Sequence, residues 1–157
     1  MSDVSCRAFS YFTAAEAKGL ISIDALIEGV DVSRTTLADP DARVSWDVWA
    51  ELCERFATAL QSDEKLLGDT GDLVTSEGFA GYFGKTLGLL ADVRELYELG
   101  ARWVGPSLYH PAEFACERLD AASLRFHVRL RAGYRPCRPW FLMVQSAMIS
   151  LPRYLGL

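Results

Sequence analysis

Apolar positions from residue 4 to 19 fall in an Ala-rich helical pattern that stops at Gly19, and the segment "SIDALIEGV" repeats the arrangement on a shorter scale before Gly29. A glycine just past the last periodic residue is the usual way for a helix to end, so two helices are predicted. Pro40 forbids a helix through "LADPDARV", and Ser45 is placed to cap the segment that follows. There Trp46, Trp49, Cys53, Phe56 and Leu60 recur at three- and four-residue steps while Asp47, Glu51, Glu54 and Arg55 fall elsewhere, which predicts a long amphipathic helix with its tryptophans toward a core. Residues 63 to 86 hold five glycines and read as turns and loop. Helical spacing returns over 88 to 104, with Leu89, Val93, Leu96, Tyr97, Gly100 and Trp103 or Val104 on one side, and Gly105-Pro106 is expected to end it.

The period then changes. Leu124, Phe126, Val128 and Leu130 alternate with Ser123, Arg125, His127, Arg129 and Arg131, the pattern of a strand with one wet face. A hairpin closed by a three-residue loop at 120 to 122 sets Glu117 opposite Arg125, Glu113 opposite Arg129, Phe114 opposite Val128 and Cys116 opposite Phe126, so that both faces agree. Pro139 can start a closing helix that Pro152 must stop or kink. The reading is an α+β fold: a helical part over about 4–104, a small antiparallel sheet over about 112–131, and a C-terminal helix over about 139–151.

Composition narrows the function classes. At 157 residues the chain is predicted to be one domain with a core of its own. Its 16 Lys and Arg against 21 Asp and Glu give a net charge of −5, which argues against broad attraction to nucleic acid or anionic lipid. Cys6, Cys53, Cys116 and Cys137 lie far apart without metal-ligand spacing and read as reduced, mostly buried thiols. With no secretory-type start and no apolar run of membrane-spanning length, a cytoplasmic location is expected.

Candidate chemistry is sparse. The glycine-rich stretch lacks a phosphate-loop pattern, no motif for nucleophilic, zinc or glycoside chemistry appears, and no enzyme activity is expected. Tyr82, Phe83, Trp103 and Tyr109 flank the glycine-rich loop and the helix-to-strand junction, where a ligand pocket or plain core packing would use the same residues. His110 either caps a turn or ligates haem iron; no cofactor is assigned. With Arg125 and Arg129 facing glutamates, Arg131, Arg135 and Arg138 are the unpaired arginines, serving either as a solvated face or as an anion site.

The segments "GVDVSRTTLADPDARVSWDVWAELCERFA", "GFAGYFGKTLGLLADVRELYELGARWV" and "SLRFHVRL", followed by an amphipathic helix, occur in an order that resembles the N-terminal, arabinose-binding-like sensing domain of AraC-type transcription regulators. The resemblance spans about residues 20 to 155, and its most specific parts are the "LADPDARV" turn and the "TLGLLADVREL" run. It implies a regulatory input domain that binds a small molecule, often as a homodimer, and signals to an output domain. No paired helix-turn-helix module follows "LPRYLGL", so the chain itself is not expected to read DNA, and its output domain is expected elsewhere. The same module would suit a sensor histidine kinase or cyclase, haem- or gas-sensing included, and a dimerisation module without a small ligand is the remaining alternative. Met143, Ala147 and Leu151, or Val144 and Met148, could pair two protomers or pack on the domain's own sheet.

Overall fold

The computed structural model describes residues 3–60, 92–120 and 123–154. The glycine-rich stretch, with Tyr82, Phe83 and Leu89, lies outside the described residues. The chain enters through a two-residue strand, β1 (Val4–Ser5), where helical spacing predicts helix. β1 pairs antiparallel with β2 (Arg43–Val44), and Val4 also bridges to Tyr109. Two residues carry no period that a sequence pattern can reveal, and here tertiary pairing decides the backbone.

A 3₁₀ turn (Cys6–Phe9) leads into α1 (Ser10–Ala17). The helix ends as a Schellman motif: Gly19 takes φ +70°, its N–H donates to the Glu16 carbonyl, and the Leu20 N–H donates to Ala15. α2 (Ile23–Ile27) starts at the Ser22 cap and is followed by Gly29 at φ +71°. α3 (Arg34–Ala38) is capped by Ser33 and stops before Pro40. The Asp39 carboxylate accepts the Asp41 N–H across that proline, while Arg7 donates to the Pro40 carbonyl and pairs with Asp41 at 2.9 Å. The charged turn is therefore a brace that delivers β2 to its partner and the chain to α4 (Trp46–Ala59). Ser45 accepts the Val48 N–H as predicted, and the buried Asp3 carboxylate accepts the Trp46 N–H at 3.2 Å.

All five apolar positions predicted for the α4 face are buried, at 4% exposure or less. Trp49 packs edge-on to Phe9 at 5.0 Å between ring centroids, and Phe12 bridges Trp49 and Phe56 at 5.3 and 5.1 Å. Trp46 and Tyr109 each meet Trp140 at 5.2 Å, which ties this cluster to the closing helix α7 (Arg138–Tyr154). Trp46 also donates its indole N–H to the Arg135 carbonyl at 2.9 Å.

After an Asp92–Glu95 capping box, α5 (Val93–Leu99) passes through a π-helical turn (Gly100–Val104) into α6 (Gly105–Leu108). Gly105-Pro106 does not end the helix: Pro106 sits at the start of α6, where its missing N–H is tolerated. Gly105 is required for a different reason. A β-carbon there would stand 2.5 Å from the Phe114 ring, so only glycine lets α6 lie against β3 (Ala112–Arg118).

β3 pairs with β4 (Leu124–Leu130) in the predicted register, with Glu113, Phe114, Cys116 and Glu117 opposite Arg129, Val128, Phe126 and Arg125. The Leu119 N–H closes the hairpin on the Ser123 carbonyl. Two small antiparallel sheets packed with helices make the fold α+β.

Candidate functional site

β4, α5 and α7 wall a groove of about 440 Å³. The strand contributes Leu124, Phe126 and Val128, its apolar alternate positions, each half-buried. From α7 come Phe141, Val144, Gln145, Met148 and Ile149, a helical face adjoining the Met143, Ala147 and Leu151 stripe, which is buried in the domain's own core. Tyr97 closes the α5 side, its ring 5.8 Å from Phe126. Among the described residues the lining carries no charged side chain.

The groove's polar groups are few, and one is committed. Pro152 has no N–H to give to the Met148 carbonyl one helical turn back, yet α7 runs on to Tyr154. The Tyr97 hydroxyl crosses the groove and donates to that carbonyl. Burial pushes the Tyr97 phenol above its ordinary pKa, so it stays a neutral donor. This bond ties α5 to α7 at the helix's proline break and leaves the Gln145 amide, which is exposed, as the remaining side-chain polar group among the described lining residues.

Rings connect the groove with the core. Tyr109, Phe114, Phe126 and Tyr97 follow one another at 6.2, 6.3 and 5.8 Å, and Phe141 stacks edge-on to Trp140 at 4.8 Å. A displacement at Phe141 therefore presses directly on Trp140 in the core, and one at Phe126 reaches the core ring of Tyr109 through the half-buried Phe114.

A second depression, about 760 Å³ and wide open, lies between α2 and α4. Its charges are already engaged: Arg55 pairs with Glu51 at 2.7 Å and donates to the Leu26 and Glu28 carbonyls, and Arg135 pairs with Glu54 at 2.8 Å. A ligand there would have to displace existing partners in water, where each such pair contributes little.

The candidate residues read from the sequence do not converge. Trp103 is 63% exposed on the π-helical turn with the Arg102 guanidinium 5.6 Å above its ring. Tyr109 is a core residue at 3% exposure; among the described residues its hydroxyl and the indole N–H groups of Trp49 and Trp140 have no hydrogen-bond partner, although Trp140 faces the Tyr109 hydroxyl. Burial holds the Tyr109 phenol well above its ordinary pKa. His110 is exposed in the turn after Tyr109, where its backbone N–H donates to Asp3. Tyr82 and Phe83 lie outside the described residues.

The expectation of three unpaired arginines is corrected. Arg135 is bound by Glu54 and Asp47, Arg131 stands 3.8 Å from Glu113, and Arg138 is also engaged in an interaction. For Arg135 the cause is the long-range approach of its segment to α4, which no local pattern announces, whereas Arg131 shares Glu113 on the neighbouring strand β3 with Arg129. Arg129 and Arg125 meet Glu113 and Glu117 as the register requires, at 2.6 and 3.8 Å.

Cysteine chemistry follows burial. Cys6, Cys53, Cys116 and Cys137 are free thiols, and all but the half-buried Cys116 are buried. Cys53 and Cys137 touch; desolvation pushes the Cys53 thiol well up, while a hydrogen bond from Cys53 lowers Cys137. Among the described residues no group of three or more His, Cys, Asp or Glu side chains could hold a metal ion, and no helix is long and apolar enough to cross a membrane. Comparison with known proteins finds no matching family model, curated protein or solved structure.

Proposed function

We propose that this domain is a non-catalytic sensing module, the ligand-binding input domain of a bacterial regulator of the AraC type. The observation that carries the reading is the groove between β4, α5 and α7, a three-walled concavity of about 440 Å³ whose described lining residues carry no charge, within the usual range of small-molecule sites. Its far wall is the closing helix, and the Tyr97 bond to Met148 joins that helix to α5, so occupancy has a mechanical route to an element suited to carry a signal onward. The order of segments that resembles AraC-type sensing domains supports the same reading, and an output kinase or cyclase would be served by the same geometry.

Native mass spectrometry of the freshly purified domain, set against its denatured mass, tests this. A small molecule lost on denaturation, or a library compound that raises the unfolding temperature, is the expected result. A bare mass together with no thermal shift from any compound would remove the sensing reading. A concentration-dependent dimer under those conditions would leave a pure interaction module, for which exposed Trp103, Leu99 and Ile149 offer contacts.

A further inference from the structure

Resting on the sensing reading, the chemistry of the groove narrows its ligand. We infer that it takes an uncharged, ring-containing apolar molecule that packs between Phe126 and Phe141 and is oriented by a single hydrogen bond to Gln145. Three observations carry this. Among the described residues the lining has no charged side chain, so a charged ligand group placed against them would lose its hydration without gaining a partner. The Tyr97 hydroxyl is already donating to Met148, which removes it as a donor to the ligand and leaves the Gln145 amide as the free side-chain anchor. Rings form two of the walls, Phe126 and Tyr97 on one side and Phe141 on the other, and aromatic faces favour flat, ring-containing guests.

A second copy of the chain fits this surface less well. A stable protein interface buries about 1,200 Å² or more in total. Here the apolar lining is mostly half-buried inside a concavity, and Ile149, at 64% exposure, is the apolar residue of the described lining that projects. A small guest can enter where a flat partner surface cannot.

The test uses one ring system with and without a charge. Fluorescence titration of the domain with N-phenyl-1-naphthylamine, which is neutral, is compared with 8-anilino-1-naphthalenesulfonate, the same framework bearing a sulfonate. The neutral probe is expected to bind saturably at one per chain and at least ten-fold more tightly than the sulfonate. Gln145→Trp, at an exposed helix position, fills the groove and is expected to weaken the neutral probe at least ten-fold with an unchanged circular dichroism spectrum; Ile149→Trp does the same from the rim. Equal affinity for the two probes, absence of saturable neutral binding, or wild-type affinity in both filled variants overturns the inference. If the neutral probe fails while a co-purified ligand is seen by native mass spectrometry, the groove assignment falls and sensing stands. If the probe binds as expected while no natural ligand is carried and no library compound shifts the unfolding temperature, the groove chemistry stands and sensing falls.

Discussion

The aromatic cluster beneath α4 and the aromatic lining of the groove are built from the same residue types and reach opposite outcomes. Under α4, Phe12, Trp49 and Phe56 are each within 1% of complete burial and touch one another at close ring distances. In the groove, Tyr97, Phe126 and Phe141 stay half-buried and leave room between strand and helix. The first set has exhausted its apolar contacts; the second has contacts still to make. Burial alone therefore marks the core, and incomplete packing between elements that are otherwise well anchored marks the place where a guest would stabilise the fold.

Substitutions can break that contrast. The largest effect is expected for Trp49→Ala, which should cost about 3–5 kcal/mol as a cavity in a packed core, whereas Phe141→Ala should cost less than half as much; urea denaturation of the two variants compares them directly. Equal losses would mean that the groove is as tightly packed as the core. Next comes Gly105→Ala, whose new methyl meets the Phe114 ring and should destabilise by about 1–3 kcal/mol. Gly100→Ala, with nothing within 4 Å and helical φ, should instead be neutral or raise stability by roughly 0.5–1 kcal/mol. Tyr97→Phe keeps the ring and removes only the bond to Met148, so a loss of about 1 kcal/mol is expected, with faster hydrogen exchange at the end of α7.

The smallest effect is electrostatic. Glu16 is held below its ordinary pKa of 4.5, first by the Ile23 N–H and then by Arg34. Glu113 is lowered by Arg129. A carboxyl lowered on folding contributes fully above its unfolded pKa, and that contribution is lost as pH falls through the lowered folded value. Thermal unfolding should therefore fall off below pH 4.5, and Glu16→Gln should flatten that fall; an unaltered slope in the variant would show that the pairing is too solvated to matter.

Much of this architecture is legible in the sequence because its causes are local. The β3–β4 register follows from alternation plus two opposed charge pairs, and the start of α4 follows from Ser45 and the spacing of its tryptophans. What escapes has causes distant in the chain. β1 and β2 are two-residue strands fixed by each other, α6 continues through Gly105-Pro106 because Phe114 lies against it, and the partners of Arg135 come from α4. The groove escapes for a related reason: alternation puts Phe126 on the dry face of a strand and no pattern singles out Phe141, since a sequence shows apolar character and not whether the facing element closes the gap. One signal was present. Pro152 strands the Met148 carbonyl, so a donor from another element is needed, and Tyr97, one of the residues that helical spacing puts on one side of the 88–104 segment, supplies it.

We propose that ligand binding belongs to the β4–α7 groove and not to the charged depression between α2 and α4. Hydrogen–deuterium exchange of the domain with and without N-phenyl-1-naphthylamine tests it most directly. The prediction is added protection over residues 124–128 and 141–149, with 22–28 and 51–59 unchanged. Protection over 22–28 and 51–59, or none over the groove at saturating probe, would contradict it.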